Sequence, residues 1–293
     1  MLLPYARAIV HAHRMDVPLL QPTWWRPRLG RALRREHDRR AYHPLVEKPS
    51  VADQLCTRLT LVGHAWCDDS GQLIRRGMLG LRGTVLITRG MQGMFGPLLE
   101  HRDLVGDGLR RLFRPALTQW SRERRPYAAM HVRLGDFRPH QTSAAVGRPI
   151  TNTSTPLEWF VGCAMTLRDL YPTLPIVVAS DGTDEELSEL LKIPGVRRTP
   201  PASAAADLWT LAGAVVLAAS GSTFSAWASY LGAMPTLVHP LFGYCLPDAD
   251  WVAPAATSQF GEKLVPLAPV IERLLAYDIG REDAKAGSPN CAR

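Results

Sequence analysis

No stretch of the chain approaches the ~18 consecutive apolar residues that a membrane-spanning helix needs; the longest candidates run only from Leu79 to Ile87 and from Ala212 to Ala219. No transmembrane helix is expected. The N-terminus has no basic segment followed by an apolar core, so no secretory signal is expected either, and Pro4 to Met15 reads instead as an amphipathic helix. Cysteine is sparse: Cys56, Cys67, Cys163, Cys245 and Cys291 are an odd number, widely scattered, with no CxxC pair. That spacing suggests neither a disulfide framework nor a zinc site, and a reducing cytoplasm fits. Lysine is scarce (Lys48, Lys192, Lys263 and Lys285), so the formal charge of +7 comes almost wholly from arginine. A pI near 9.4 invites a nucleic-acid reading. No RNA-binding signature, zinc finger or basic-helix dimer pattern accompanies the charge, and no nucleic-acid partner is expected. The Arg-dense stretch from Arg26 to Arg40 reads as solvated surface, with peripheral contact to anionic lipid head groups or glycans as the alternative. Internal repeats and low-complexity tracts are absent, and no Gly-x-Gly-x-x-Gly follows a first strand, which disfavours an NAD-binding protein.

What is present is a globular composition, 293 residues with 46% hydrophobic content, enough for one large core or two ordinary ones. After the first helix, Val17 to Leu20 reads as a short strand and Gln21 to Pro49 as irregular, with Trp24 and Trp25 closing a core or lining a sugar site. Arg58 to His64 alternates like a strand, Trp66 to Arg76 reads as a turn-rich connection, and Gly83 to Thr88 as a further strand. Pro97 to Phe113 has helical character despite Gly106 and Gly108. From Tyr127 onward the pattern changes. Short apolar runs at Tyr127–Val132, Pro175–Ser180, Ala214–Ala219 and Thr236–His239 alternate with helical segments at Thr155–Leu170, Thr183–Leu191, Asp207–Leu211 and Ser222–Leu231. A short strand is expected at Val196–Pro200 and a closing helix at Leu267–Tyr277, followed by a polar tail from Gly280. Such alternation indicates a parallel sheet with crossover helices. The chain is therefore α/β, with a boundary where Arg122-Glu-Arg-Arg-Pro126 breaks the pattern, giving domains 1–125 and 126–293.

The stretch from Tyr127 to Phe137 organises the second domain. Read as a strand, it sends Met130 and Val132 to one face and His131 and Arg133 to the other. Gly135 allows a sharp exit and Asp136 follows, which collects a base, an acid and a guanidinium at a strand's carboxyl end, where open α/β sheets bind ligands. The fork of an arginine suits a phosphate or carboxylate. The plain alternative is an Arg133 paired with a neighbouring carboxylate. Two further groups fall on strand carboxyl ends: Asp181, and Gly221-Ser222-Thr223-Phe224-Ser225, where free backbone N–H groups and hydroxyls at a helix start offer a seat for a diphosphate or ribose. An ordinary N-cap is the alternative there.

His131-Val-Arg133-Leu134-Gly135-Asp136-Phe137 resembles the His-x-Arg-Arg-Gly-Asp-Tyr/Phe motif of the GDP-fucose-dependent fucosyltransferases, chiefly the α-1,2 family (glycosyltransferase family 11) and more distantly the α-1,6 and protein O-fucosyltransferases. Ser220-Gly-Ser-Thr-Phe-Ser-Ala-Trp-Ala-Ser-Tyr-Leu231 is similar to their Ser-Ser-Phe-Ser-Trp-Trp-Ala-Ala-Trp-Leu segment, Ile87 to Phe95 to their strand-plus-Gln segment, and Val177 to Asp181 to their strand ending in Ser/Thr-Asp. The resemblance implies a GT-B-like pair of Rossmann-like domains with the active site in the interdomain cleft. It also implies inversion at the sugar carbon with no metal or cofactor, and GDP-fucose and a glycan acceptor as the molecules bound. On the same basis Arg133 contacts the β-phosphate and His131 lies near the nucleotide. Asp207 takes the place of a guanine-binding Asp, and Thr223, Phe224 and Ser225 touch phosphates and ribose. Asp136 is the nearest acid for the general base, with His11, His64 and Glu100 as alternatives.

Leu134 departs from the motif by replacing its second Arg. Relatives also open with a strand and a Gly-Gly-x-Gly-Asn-Gln loop before their first helix, so either a start upstream of Met1, which is the expectation preferred, or the loss of a donor-facing loop is implied. Asp248-Ala-Asp250 has the form of a metal-binding Asp-x-Asp but reads as a turn in a Pro-rich loop, and Gly221 to Ser225 lacks the second glycine of a hydrolase elbow. The serious rival is a nucleotide-sugar or glycan-binding module without turnover, and a transferase using another nucleotide sugar is a further alternative.

Overall fold

A computed structural model describes residues 2–20, 45–118, 120, 125–135, 154–239 and the strand Val252–Pro254. The chain divides into two compact units, Met1–Trp120 and Ser121–Arg293. Among the described residues no helix is long and apolar enough to cross a membrane.

The first unit opens with helix α1 (Leu2–Met15), whose apolar side buries Leu3, Ile9 and Val10. Helix α2 spans Val51–Gly63, strands β1, β2 and β3 span Ala65–Asp68, Leu73–Arg75 and Thr84–Ile87, and a 3₁₀ turn at Gly96–His101 leads into helix α3 (Arg102–Leu112) and the short α4 (Arg114–Leu117). The small core lies where α1 meets α3 and the 3₁₀ turn, around Phe95, Leu98, Val105 and Leu109. Gly108 belongs to that contact. A Cβ there would sit 2.6 Å from Ile9 Cδ1, so the glycine gives up about 1 kcal/mol of helix propensity to admit Ile9. Arg7, itself buried, reaches the turn after β3 by donating to the carbonyls of Arg89 and Gln92 and pairs with Asp69 at 3.5 Å. The three strands form one sheet, β1 central, parallel to β3 and antiparallel to β2.

Three expectations fail in this unit. Arg58 to Gly63 lies in α2 and not in a strand, with His64 as its C-cap, because Ser50 and Asp53 close a capping box that starts a helix at Val51. Trp66 to Arg76 is not a bare connection either: it carries β1 and β2, tied by Trp66 opposite Arg75. Val17 to Leu20 forms no strand.

The second unit is a six-stranded sheet of β4 (Ala128–Val132), β5 (Ile176–Ser180), β6 (Val196–Arg198), β7 (Val216–Ala219), β8 (Thr236–Val238) and β9 (Val252–Pro254), every pair parallel. Its order is β6-β5-β4-β7-β8-β9, the doubly wound 3-2-1-4-5-6 arrangement counted from β4. Helices α5 (Leu157–Leu170), α6 (Ser188–Leu191), α7 (Ala204–Ala212) and α8 (Thr223–Gly232) connect the strands. One face of β4 gives Ala128, Met130 and Val132 to an apolar cluster with Phe160, Cys163 and Leu167 of α5 and Ile176 and Val178 of β5. Burial on both faces explains why these strands read as continuous apolar runs.

Details differ from expectation at helix starts. The helix expected from Thr155 starts at Leu157, with Pro156 in the N-cap position of α5. Helix α7 begins at Ala204, ahead of Asp207, because Ser203 accepts from the Ala206 N–H at 3.1 Å. Thr183 and Glu186 cap each other reciprocally, but regular helix starts only at Ser188. The expected helix at Leu267–Tyr277, the tail, the Arg26–Arg40 stretch, Trp24, Trp25 and Asp248 to Asp250 lie outside the described residues.

Candidate functional site

The doubly wound order places its switch point between β4 and β7, whose carboxyl ends open side by side, since His131 lies opposite Ala219. Both strand exits carry the polar residues that the sequence singles out. At the end of β7 the chain turns through Ser220 and Gly221, and Ser222 N-caps α8 by accepting from the Ser225 N–H at 3.2 Å. His131 faces this helix start. Its Nδ1 lies 2.7 Å from Ser225 Oγ and 3.4 Å from Ser222 Oγ, the two hydroxyls are 3.2 Å apart, and the Phe224 ring centroid is 4.9 Å from the imidazole. Burial pushes His131 down from its ordinary 6.5 to about 4, with the Asp181 carboxylate pulling the other way. At neutral pH the imidazole is uncharged, so it offers hydrogen bonding and shape to the site but no positive charge.

Arg133, one residue past β4, pairs with Asp181 at the end of β5, Nη1 to Oδ2 at 2.5 Å. The same carboxylate accepts from the Leu134 N–H at 2.9 Å. Gly135 permits this: a Cβ there would stand 2.6 Å from Asp181 Oδ2. The plain alternative for Arg133, a partnered carboxylate at the strand end, is therefore present. Ser220, which sequence reasoning did not select as a site residue, joins the two strand exits by accepting from the Arg133 N–H at 2.9 Å and donating to the His131 carbonyl at 2.7 Å. Its position directly after an apolar strand and before Gly-Ser-Thr was the signal available.

Leu134 turns away from these groups and packs on the apolar cluster, close enough to Gly182 that a Cβ there would meet Leu134 Cδ1 at 2.6 Å. Thr223 is exposed at the first position of α8 and Phe224 is half-buried. Asp207 stands apart from the His131 group, in the first turn of α7 near the end of edge strand β6. Burial raises its pKa, opposed by a hydrogen bond from Thr199 and the charge of Arg198. Arg198 links this corner to the β5 exit, donating to the carbonyls of Ser180 and Gly182 and pairing with Asp184. It too was missed. Its alternation partner in the short β6 gave no hint that it would fold back over β5. Asp136 lies outside the described residues, and His11, His64 and Glu100 belong to the first unit.

The second unit thus brings together His131, Ser222, Phe224 and Ser225 as one cluster and Arg133 with Asp181 as another, joined by Ser220, with Asp207 at a third position on the same sheet edge. No protein-family model matches the chain, and no curated protein matches it. Among solved structures it is similar to POFUT1 in complex with GDP at 15% identity, with a TM-score of 0.30, over 50% of this chain and 46% of that one. It is similar to Thermosulfurimonas dismutans KpsC, a beta Kdo 2,7 transferase, at 16% identity and a TM-score of 0.27, over 49% of this chain and 42% of that one. It is also similar to the E. coli heptosyltransferase WaaC with ADP-2-deoxy-2-fluoro heptose at 14% identity and a TM-score of 0.40, over 95% of this chain and 97% of that one.

Proposed function

We propose that the chain is an inverting, metal-independent glycosyltransferase of GT-B-like architecture. In this reading residues 126–293 bind GDP-fucose and residues 1–125 bind the glycan acceptor. One observation supports the donor site above the others: the exits of β4 and β7, on either side of the switch point, carry Arg133 and the N-terminus of α8 joined through Ser220. A diphosphate seated on the α8 N-terminus meets backbone N–H groups and the Thr223 and Ser222 hydroxyls, with Arg133 supplying charge. The acceptor hydroxyl attacks the anomeric carbon as the bond to the β-phosphate breaks. Its proton passes to a general base, Asp136 or one of His11, His64 and Glu100, and the charge on the departing GDP is met by Arg133. His131 is a positioning residue in this reading, fixing the start of α8 through the buried Ser225 and packing against Phe224, which faces the ribose, and Asp207 recognises guanine.

Calorimetric titration with GDP, GDP-fucose, UDP and ADP in the presence of chelator tests this. Selective guanine-nucleotide binding, weakened roughly a hundredfold in Arg133→Ala, supports it, and indifference to the base or to Arg133 sinks it. The Arg133–Asp181 pair favours a second reading, a nucleotide-sugar or glycan-binding module without turnover, in which Arg133 serves the fold. Release of fucose from GDP-fucose, or its transfer to a glycan, separates the two.

A further inference from the structure

Val51, Leu55, Leu59 and Val62 recur every three or four residues along α2 and so share one stripe. They are 84%, 57%, 56% and 40% exposed. A helix with an apolar stripe turned to water is the reverse of the usual arrangement. The stripe continues into the loop after β2. There the Met78 N–H donates to the Val62 carbonyl at 2.8 Å and the Leu81 N–H to the Gly63 carbonyl at 3.2 Å. This loop adds Met78, Leu79 and Leu81, each at least half exposed. The result is one continuous apolar surface, of the kind that marks an interaction site.

Its rim is positive. Arg58 flanks the stripe on α2, and Arg76 and Arg82 stand in the adjoining loop, all three exposed. The acidic side chains between residues 51 and 93 are Asp53, Asp68 and Asp69, and each is already engaged: by Ser50, by Ser70 with the Gln72 N–H, and by Arg7. The sequence leading to α2 carries seven more arginines, at positions 26, 28, 31, 34, 35, 39 and 40, against Glu36 and Asp38 in the same stretch. Self-pairing across this face would press like-charged rims together. A surface that is both apolar and anionic complements it.

We propose that the face of α2 and the 76–83 loop docks on an anionic lipid surface, with the leucines in the boundary between head groups and acyl chains and Arg58, Arg76 and Arg82 at lipid phosphates. This is independent of the donor-site reading and fails or stands without it. Flotation of the full chain with vesicles of phosphatidylcholine alone, and of phosphatidylcholine mixed with phosphatidylglycerol, tests it. The chain floats with the anionic vesicles and far less with the neutral ones. Leu55→Gln with Leu59→Gln, exposed positions whose change leaves the far-ultraviolet circular dichroism intact, lowers partitioning roughly a hundredfold. Arg76→Gln with Arg82→Gln lowers it roughly tenfold at low salt, and that difference shrinks as salt is added. Absence of flotation with anionic vesicles overturns the proposal. So does flotation that ignores the leucine pair, which would assign binding to arginines elsewhere. A concentration-dependent dimer in light scattering, abolished by the leucine pair, would make the face a self-interface instead.

Discussion

Strands β3 and β5 are spelled in nearly the same letters, Thr-Val-Leu-Ile and Ile-Val-Val-Ala-Ser, yet no residue of β3 is buried while four of the five in β5 are. The contrast extends to their surroundings. Between Glu47 and Met94 Gly63 alone is buried, whereas every residue of β4 is. The difference lies in what covers the strands. β5 has β4 and β6 on its edges and α5 on one face. The β1–β3 sheet has three short strands, and α2 turns its apolar stripe outward. Apolar sequence creates the drive to be covered, and topology decides whether cover exists.

The sharpest break of this comparison is to truncate one side chain in each region. Met130→Ala empties a fully buried site and is expected to cost about 2–5 kcal/mol, while Leu59→Ala, 56% exposed, should stay within about 0.5 kcal/mol. Urea midpoints of the two variants check this, and equal losses would mean that the α2 face is covered in the intact protein. Amide exchange is the companion measurement, with β4 and β7 protected far beyond β2 and β3.

Next in size is the pH dependence carried by His131. Its proton affinity is lower folded than unfolded, so the unfolded chain takes up a proton below about 6.5 and the folded chain only below about 4. Stability from the neutral imidazole is therefore complete above 6.5 and is lost as pH falls towards 4, by about 3 kcal/mol in all. His131→Asn should flatten the unfolding free energy over that window relative to the native chain. An unchanged slope would show that the imidazole is hydrated.

Smaller effects probe α8. Ser222→Ala removes the N-cap hydroxyl and should cost about 1 kcal/mol, with donor binding weakened in parallel if the same helix end seats a phosphate. At the other end, Ala233 holds a left-handed conformation at φ 51°. Ala233→Gly should gain about 0.5–1 kcal/mol, read as a rise in thermal midpoint.

Much of the second unit was legible in the sequence. Short, largely apolar runs at Ala128–Val132, Ile176–Ser180 and Val216–Ala219 are what a parallel sheet covered on both faces calls for, and Ser222 ahead of Thr-Phe-Ser is a helix start on local chemistry alone. The first unit was less legible because period two and period 3.6 are hard to tell apart over seven residues. Arg58 to His64 matched a strand, and the deciding signal was the Ser50–Asp53 capping box eight residues upstream of Arg58.

By itself, then, the sequence determined the α/β class, the strands from Ala128 to Val238, and the polar residues at their carboxyl ends, since each of these follows from local periodicity and capping. Only the tertiary structure decided that Asp181 would claim Arg133, that Ser220 would bridge β4 to β7, that Leu134 would turn into the core, and that Arg198 would fold over the β5 exit. Those outcomes depend on strand order and on which exits stand side by side, and contacts between residues 47 and 94 positions apart leave no periodic trace in a chain.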